Sequence, residues 1–254
     1  MTTDIREKSP LIRYMPKSLK PYLLLMRLDR PIGIWLVLIP GLWGLMLGAQ
    51  AGFPWGTIVL FTLGALIMRS AGCVYNDWVD QDIDRQVIRT KGRPLASGAL
   101  EAKPALMLLT GLLTGALMLL FAFNMATILL GVAAFVLIMV YPWMKRITHW
   151  PQAFLAIVFN WGILMGETCL RGKPSFAGLM LFVVAALWTF IYDTLYAHQD
   201  RAGDLLAGVK SSALALGDHT KTVLFKLVSV QAALLIGVGV MQSYGIFYYL
   251  LGGL

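Results

Sequence analysis

Apolar runs close to the roughly 20 residues that cross the hydrocarbon core of a bilayer recur along nearly the whole chain, parted by short gaps that hold its charges, prolines and glycines. They run from Ile32 to Ala49, Pro54 to Cys73, Ala105 to Phe123, Ala126 to Tyr141, Pro151 to Leu170, Ser175 to Ala197 and Thr222 to Met241, and an eighth begins near Tyr244. A pattern of this length and continuity predicts an all-α polytopic transmembrane bundle. The eighth span reads as cut short, because Tyr244 to Leu254 makes only about 16 Å of helix against a hydrocarbon core of about 30 Å. Composition agrees: 58% of residues are hydrophobic and 13% charged, against roughly 25% charged in soluble domains. Residues 1–254 therefore read as one membrane-embedded domain.

The net charge of +8 does not imply a nucleic-acid partner, because the basic residues sit in the gaps between apolar runs and not on a separate soluble face. Their distribution sets orientation instead. Arg6, Lys8, Arg13, Lys17, Lys20, Arg27 and Arg30 precede the first span, and Arg85, Arg89, Lys91, Arg93 and Lys103 follow the second. Lys145 and Arg146, then Arg201, Lys210, Lys221 and Lys226, fill the next alternate gaps, whereas the intervening gaps hold only Arg171 and Lys173. By the positive-inside rule the N-terminus and the long loops face the cytoplasm. No signal-peptide order of basic start, apolar run and cleavage site occurs in the first thirty residues, so the first span is expected to direct insertion. Cys73 and Cys169 lie inside apolar runs with no CxxC spacing and read as small buried residues.

Seven of the thirteen acidic residues fall in two segments, NDWVDQDID (Asn76 to Asp84) and YDTLYAHQDRAGD (Tyr192 to Asp204). Both sit at predicted cytoplasmic ends, the first continuing the second span and the second continuing the sixth. Spacings of four and seven return to one helix face, so Arg69, Asn76, Asp80 and Asp84 form one stripe, and Asp193, Asp200 and Asp204 repeat the pattern. Like charges so spaced destabilise a helix, more so near hydrocarbon, and a cation is expected to compensate. Carboxylate and carboxamide oxygens suit hard cations, and Mg²⁺ takes one or two carboxylates, waters and the oxygens of a bound phosphate. A Mg²⁺-diphosphate site follows, for which solvated loop acids are the plain alternative. Asp77 and Asp82 read as caps or partners of nearby Arg, and Asp29, Glu101 and Asp218 as surface charges. Arg85, Arg93, Lys145 and Arg146 lie at the face where a diphosphate would need neutralising. Tyr141 and Lys145, four apart, share a helix face. His149, His198 and His219 form no ligand pattern. KGRPLASG (Lys91 to Gly98) has no phosphate-loop spacing and reads as a candidate mobile lid.

These motifs resemble those of the UbiA superfamily of membrane prenyltransferases, with its NDxxDxxxD motif and second aspartate-rich motif. The flanking segments RLDRPIGIWLVLIPGLWGL, MRSAGCVYNDWVDQDIDRQVIRTKGRPLASG, KRITHWPQAFLAIVFNWGILMG and GVKSSALALGD are similar to the 4-hydroxybenzoate polyprenyltransferase branch, over about Arg27 to Gly217. The resemblance implies a nine-span fold, of which this chain supplies seven spans and part of an eighth. It implies that Asn76, Asp80, Asp84, Asp200 and Asp204 hold Mg²⁺ and through it the donor diphosphate, with Tyr141 and Lys145 on that diphosphate. It puts Asp193 by the acceptor ring as the catalytic carboxylate, and Arg30 and Arg69 beside anionic groups. Gly203 stands where the family's second motif carries an acid. The implied reaction moves a polyprenyl group from polyprenyl diphosphate to the ring carbon ortho to the hydroxyl of 4-hydroxybenzoate, an early step of ubiquinone biosynthesis. The implied setting is the bacterial inner membrane, ahead of the mitochondrial inner membrane, with the site facing the cytoplasm and membrane lipid around it. Competing readings are a related transferase acting on a naphthoate, a homogentisate or a haem, and a cation-coupled transporter. A transporter places its acids near the midplane on broken helices, whereas these lie at one interface.

Overall fold

In the computed structural model, residues 5, 9–49, 52–199, 201, 205 and 208–252 are described. Two short helices, α1 (Pro10–Arg13) and α2 (Lys20–Leu25), precede α3 (Ile32–Gly48) and α4 (Trp55–Gln86). Then come α5 (Ala102–Leu120), α6 (Met125–Ile147), α7 (Pro151–Arg171) and α8 (Phe176–Ala197). Last are α9 (Ser212–Leu216), a 3₁₀ turn (Gly217–His219), α10 (Thr220–Met241) and α11 (Ile246–Gly252). No strand occurs among the described residues. Each predicted span corresponds to a helix, and among the described residues six segments are long and apolar enough to cross a bilayer: α4, α5, α6, α7, α8 and the run from Ser212 to Met241. The protein is an integral membrane protein. The predicted first span, α3, has 17 residues and is the shortest of the seven.

The second helix departs most from its expected length. Hydropathy falls away at Cys73, yet α4 continues through the whole first aspartate segment to Gln86, 32 residues in all. At 1.5 Å per residue that is about 48 Å, some 18 Å more than the hydrocarbon core is thick. Loss of apolar character ends a span but does not end a helix, and nothing in NDWVDQDID breaks the ladder.

The chain divides into two compact units, Met1–Leu38 with Ile58–Phe123, and Ile39–Thr57 with Asn124–Leu254. In the first, Leu25, Ala71, Val74, Leu95, Leu100, Ala105 and Leu109 form one buried cluster. Leu95 and Leu100 belong to the loop between α4 and α5, and Pro94 and Ala96 are buried beside them. KGRPLASG is therefore not a mobile lid. Its apolar residues are pinned into the core, and Ser97 N donates to Arg93 O at 2.8 Å.

In the second unit α7 is the central helix, packed against α6 and α8, with α8 packed in turn on α10. Pro151 starts α7, and Gly172, at φ 79°, ends it with its N–H on Thr168 O. Of the four polar side chains buried on α7, three reach beyond the helix: Gln152, Asn160 and Glu167. Each bonds a different segment: Gln152 Oε1 accepts from Ser212 N at 2.9 Å, Asn160 Nδ2 donates to Thr189 Oγ1 at 2.8 Å, and Glu167 Oε2 accepts from Ser175 N at 2.9 Å. Buried polar groups in a spanning helix need such partners. Gly166 lets α7 approach the α3 backbone: a Cβ there would lie 2.5 Å from Gly41 O and 2.7 Å from Leu45 N.

Candidate functional site

The first aspartate segment stands on the C-terminal part of α4. Asp77, Asp80 and Asp84 are 2%, 1% and 5% exposed, Asn76 is half-buried, and Asp82 points to solvent. Asp80 and Asp84 share a face as the four-residue spacing requires. Asp77 also belongs to it, a correction to its exclusion from the stripe: Asp77 and Asp84 are seven apart, two turns, and return to nearly the same direction.

Two guanidinium groups converge on this face. Arg93 Nη1 donates to Asp84 Oδ2 at 2.7 Å and to Asp77 Oδ1 at 3.1 Å. Arg27 Nη2 donates to Asp77 Oδ1 and Oδ2 at 2.9 and 3.0 Å. Asp77 is thus the Arg partner that its composition suggested, but a buried one. Breaking a buried pair by removing one side costs about 3–5 kcal/mol. Arg69 lies over the start of α3, where a Cβ on Gly33 would meet its Nε at 2.5 Å. Arg30 Nε donates to Asp29 Oδ2 at 3.3 Å. Asp29 is 4% exposed, which overturns its reading as a surface charge, whereas Glu101 and Asp218 are exposed. Arg27 Nη1 and Arg30 Nη2 are buried with no hydrogen-bond acceptor among the described residues, so this corner of the first unit can receive an anion. Arg85 is exposed, with Nε on Ala96 O at 3.4 Å and Nη1 on Asp82 Oδ1 at 3.1 Å; the exposed ion pair is worth at most about 1 kcal/mol.

In the second unit, Tyr141 and Lys145 are one turn apart near the end of α6 and both half-buried. Arg146 is exposed, its guanidinium 4.8 Å from the centre of the Trp143 ring. Lys210 bonds the end of the same helix twice: its N–H donates to Lys145 O at 2.9 Å and its Nζ to Ile147 O at 3.0 Å. Asp193, half-buried on α8, stands one turn beyond Thr189, the partner of Asn160. Its neighbour Thr194 is fully buried and shares a 2.8 Å hydrogen bond with Ser212 Oγ. Asp200, Gly203 and Asp204 lie outside the described residues. His198 bonds Thr220 Oγ1 at 3.0 Å, a packing role.

Among the described residues no three His, Cys, Asp or Glu side chains are grouped to enclose a metal. The donor set on α4 nevertheless fits Mg²⁺. That ion takes one or two carboxylates and completes its shell with water and phosphate oxygens, and Asp80 with Asp84 supplies two buried carboxylates with the Asn76 carboxamide alongside. Sequence reasoning gave no role to Arg27 in the first unit, nor to Gln152, Asn160 and Glu167 in the second. Arg27, Gln152 and Asn160 lie inside segments that carry the family resemblance and Glu167 directly follows one, but nothing in those segments names their partners.

Residues 37–254 match the sequence model of the UbiA prenyltransferase family. Among curated relatives, the mitochondrial 4-hydroxybenzoate polyprenyltransferase of Homo sapiens is 45% identical over 90% of this chain and 63% of its own length. The 4-hydroxybenzoate octaprenyltransferase of Vibrio parahaemolyticus is 44% identical over 91% of this chain and 81% of its own. The chain thus spans less than two thirds of the human relative. The solved structure of a UbiA homolog from Archaeoglobus fulgidus bound to DMAPP and Mg²⁺ superposes with a TM-score of 0.71 at 20% identity, covering 91% of this chain and 81% of that one. A family match over both units, together with the aspartate-bearing continuation of a membrane helix, means that the chain belongs to the UbiA prenyltransferase family.

Proposed function

We propose that this chain transfers a polyprenyl group from polyprenyl diphosphate to the ring carbon ortho to the hydroxyl of 4-hydroxybenzoate, in the route to ubiquinone. The observation that carries the reading is the buried pair Asp80 and Asp84 on α4, the second bonded by the Arg93 guanidinium, at the end of a spanning helix. A membrane protein keeps such carboxylates there only for a function that uses their charge. The names of relatives at about 45% identity support an aromatic acceptor of this class.

In this reading Asn76, Asp80 and Asp84, with Asp200 and Asp204, hold Mg²⁺, which when bound neutralises the diphosphate and so eases its departure. Tyr141 and Lys145 contact the diphosphate, and Arg93 fixes Asp84. The allylic C–O bond breaks with its electron pair leaving on the diphosphate, a ring π pair forms the new C–C bond, and the ring carbon then loses its proton. Asp193 orients the phenol or takes its proton, raising the nucleophilicity of the ortho carbon. The buried N–H groups of Arg27 and Arg30 suit the acceptor carboxylate or another anionic group, and Arg69 stands in the same part of the unit. Apolar and aromatic walls exclude water from the allylic cation. Arg85 and Arg146, both exposed, serve as outer basic residues that attract the donor. The whole chain acts as one membrane-embedded prenyltransferase domain, as the continuous family match over 37–254 supports. It is assigned to a bacterial inner membrane, and its basic loops put the site toward the cytoplasm.

The test is direct. Purified protein in lipid nanodiscs with Mg²⁺, labelled polyprenyl diphosphate and 4-hydroxybenzoate is expected to form a prenylated acid, and Asp80→Ala to form none. Robust product from Asp80→Ala would sink the metal assignment. Product only with a naphthoate or homogentisate would move the chain to another branch of the family.

A further inference from the structure

Arg27 holds φ at 58°, a left-handed conformation that a side chain with a Cβ rarely adopts. It closes a Schellman turn at the end of α2: Leu28 N donates to Leu23 O at 3.1 Å and Arg27 N to Leu24 O at 3.0 Å. Glycine is the usual residue at that position. A strained non-glycine residue persists where the surroundings over-determine it, and here the surroundings are the Asp77 carboxylate, gripped through both oxygens by Arg27 Nη2. Asp77 also accepts from Arg93, which donates in turn to Asp84. The four side chains form a relay running from α2, through α4 and the loop after it, back to the last carboxylate of the aspartate stripe.

We infer that Arg27 and Asp77 are positioning residues for the metal-diphosphate site. They hold the Arg93 guanidinium in place, and Arg93 fixes the Asp84 carboxylate in the orientation in which its remaining lone pairs face a divalent cation. The inference rests on the assignment of Asp84 as a metal ligand made above, and it gives Asp77 a part distinct from ligation. Physically, a carboxylate that binds metal while accepting a charge-assisted bond has its rotamer set by the donor, and losing such an outer partner lowers metal affinity about 10–100-fold. Asp77 is needed because Arg93 reaches Asp84 from a loop.

The experiment uses the purified full chain in nanodiscs and reads Mn²⁺ binding by electron paramagnetic resonance in the presence of inorganic pyrophosphate. Asp77→Asn, Arg27→Gln and Arg93→Lys are each expected to weaken Mn²⁺ binding about 10-fold or more, while Asp82→Asn, on the exposed face of the same helix, stays within about twofold. The double variant Asp77→Asn with Arg93→Lys is expected to bind no worse than the weaker single variant, since both act through Asp84. Additive losses, an Asp82→Asn loss equal to that of Asp77→Asn, or a loss in Asp77→Asn with Arg93→Lys unchanged would each overturn the inference. So would wild-type binding in Asp77→Asn. If Asp77→Asn does not fold, Arg93→Lys and Arg27→Gln carry the test alone, and wild-type affinity in either overturns it. A wild-type chain that binds Mn²⁺-pyrophosphate but makes no prenylated acid would refute the proposed reaction and leave the relay standing. A wild-type chain that fails to bind it refutes the relay.

Discussion

Gly166→Ala isolates the backbone-to-backbone approach of α7 and α3. The added methyl would lie 2.5 Å from Gly41 O, 2.7 Å from Leu45 N and 3.0 Å from the Gly44 carbonyl carbon, against 3.4 Å for ordinary contact. All three neighbours are main chain, so no side chain can swing aside, and α3 must withdraw by about 0.9 Å, the difference between 3.4 and 2.5 Å. Overpacking of this kind costs about 1–3 kcal/mol. Alanine in place of glycine also favours the helix by up to about 1 kcal/mol, which partly masks the loss. Gly64→Ala on α4 provides the reference, because a Cβ there meets nothing within 4 Å and only the propensity gain applies. The difference between the two variants is then the packing cost alone. At roughly 2–4 °C for each kcal/mol, Gly166→Ala is expected to denature several degrees below Gly64→Ala when monodisperse protein is followed by size-exclusion after heating. Equal midpoints, or a higher one for Gly166→Ala, would refute the close approach. Small residues at spanning-helix contacts have this role because lipid offers no hydrophobic drive for association, and dispersion at short range must supply it.

Leu95→Ala removes a side chain that is 3% exposed in the cluster of the first unit, and is expected to cost about 2–5 kcal/mol. Proteolysis of the Lys91 to Gly98 loop should rise with it, whereas a free lid would be cut as readily before the change as after. Asn124→Ala deletes the N-cap of α6, whose Oδ1 accepts from Thr127 N at 2.9 Å and whose Nδ2 donates to Thr168 O at 3.1 Å. The expected loss is about 1–2 kcal/mol, with faster hydrogen exchange in the first turn of α6; unchanged exchange there would discount the cap. Removal of divalent cations with EDTA is expected to abolish prenyl transfer and added Mg²⁺ to restore it, and turnover in EDTA would exclude a metal-held diphosphate.

Much of the architecture was legible in the letters. A lipid solvent demands long apolar helices, so span positions followed from hydropathy: α3, α5, α7, α8 and α10 lie within three residues of expectation, and α6 runs six residues past its expected end at Tyr141. The aspartate stripe of α4 was legible for a similar reason: helical periodicity puts Asp80 and Asp84 on one side wherever the helix goes. Partners were not legible. No local rule tells Arg27 that it will meet Asp77, fifty residues on, and the polar face of α7 looked like three unrelated letters until α8 and α9 supplied Thr189, Ser175 and Ser212. The glycine-poor turn after α2 likewise gave no sign that its arginine would take a left-handed conformation.

The sequence by itself determined an all-helical membrane protein, the positions of its spans, and two acidic segments at span ends, because hydrophobic length and helical period are local properties. Only the tertiary structure decided that Asp77 belongs with Asp84 and is gripped by Arg27 and Arg93, that Asp29 is buried, and that the loop after α4 is pinned by Leu95. Those outcomes depend on which side chains reach each other when separate helices pack, where burial makes each unpaired charge costly and each pairing selective.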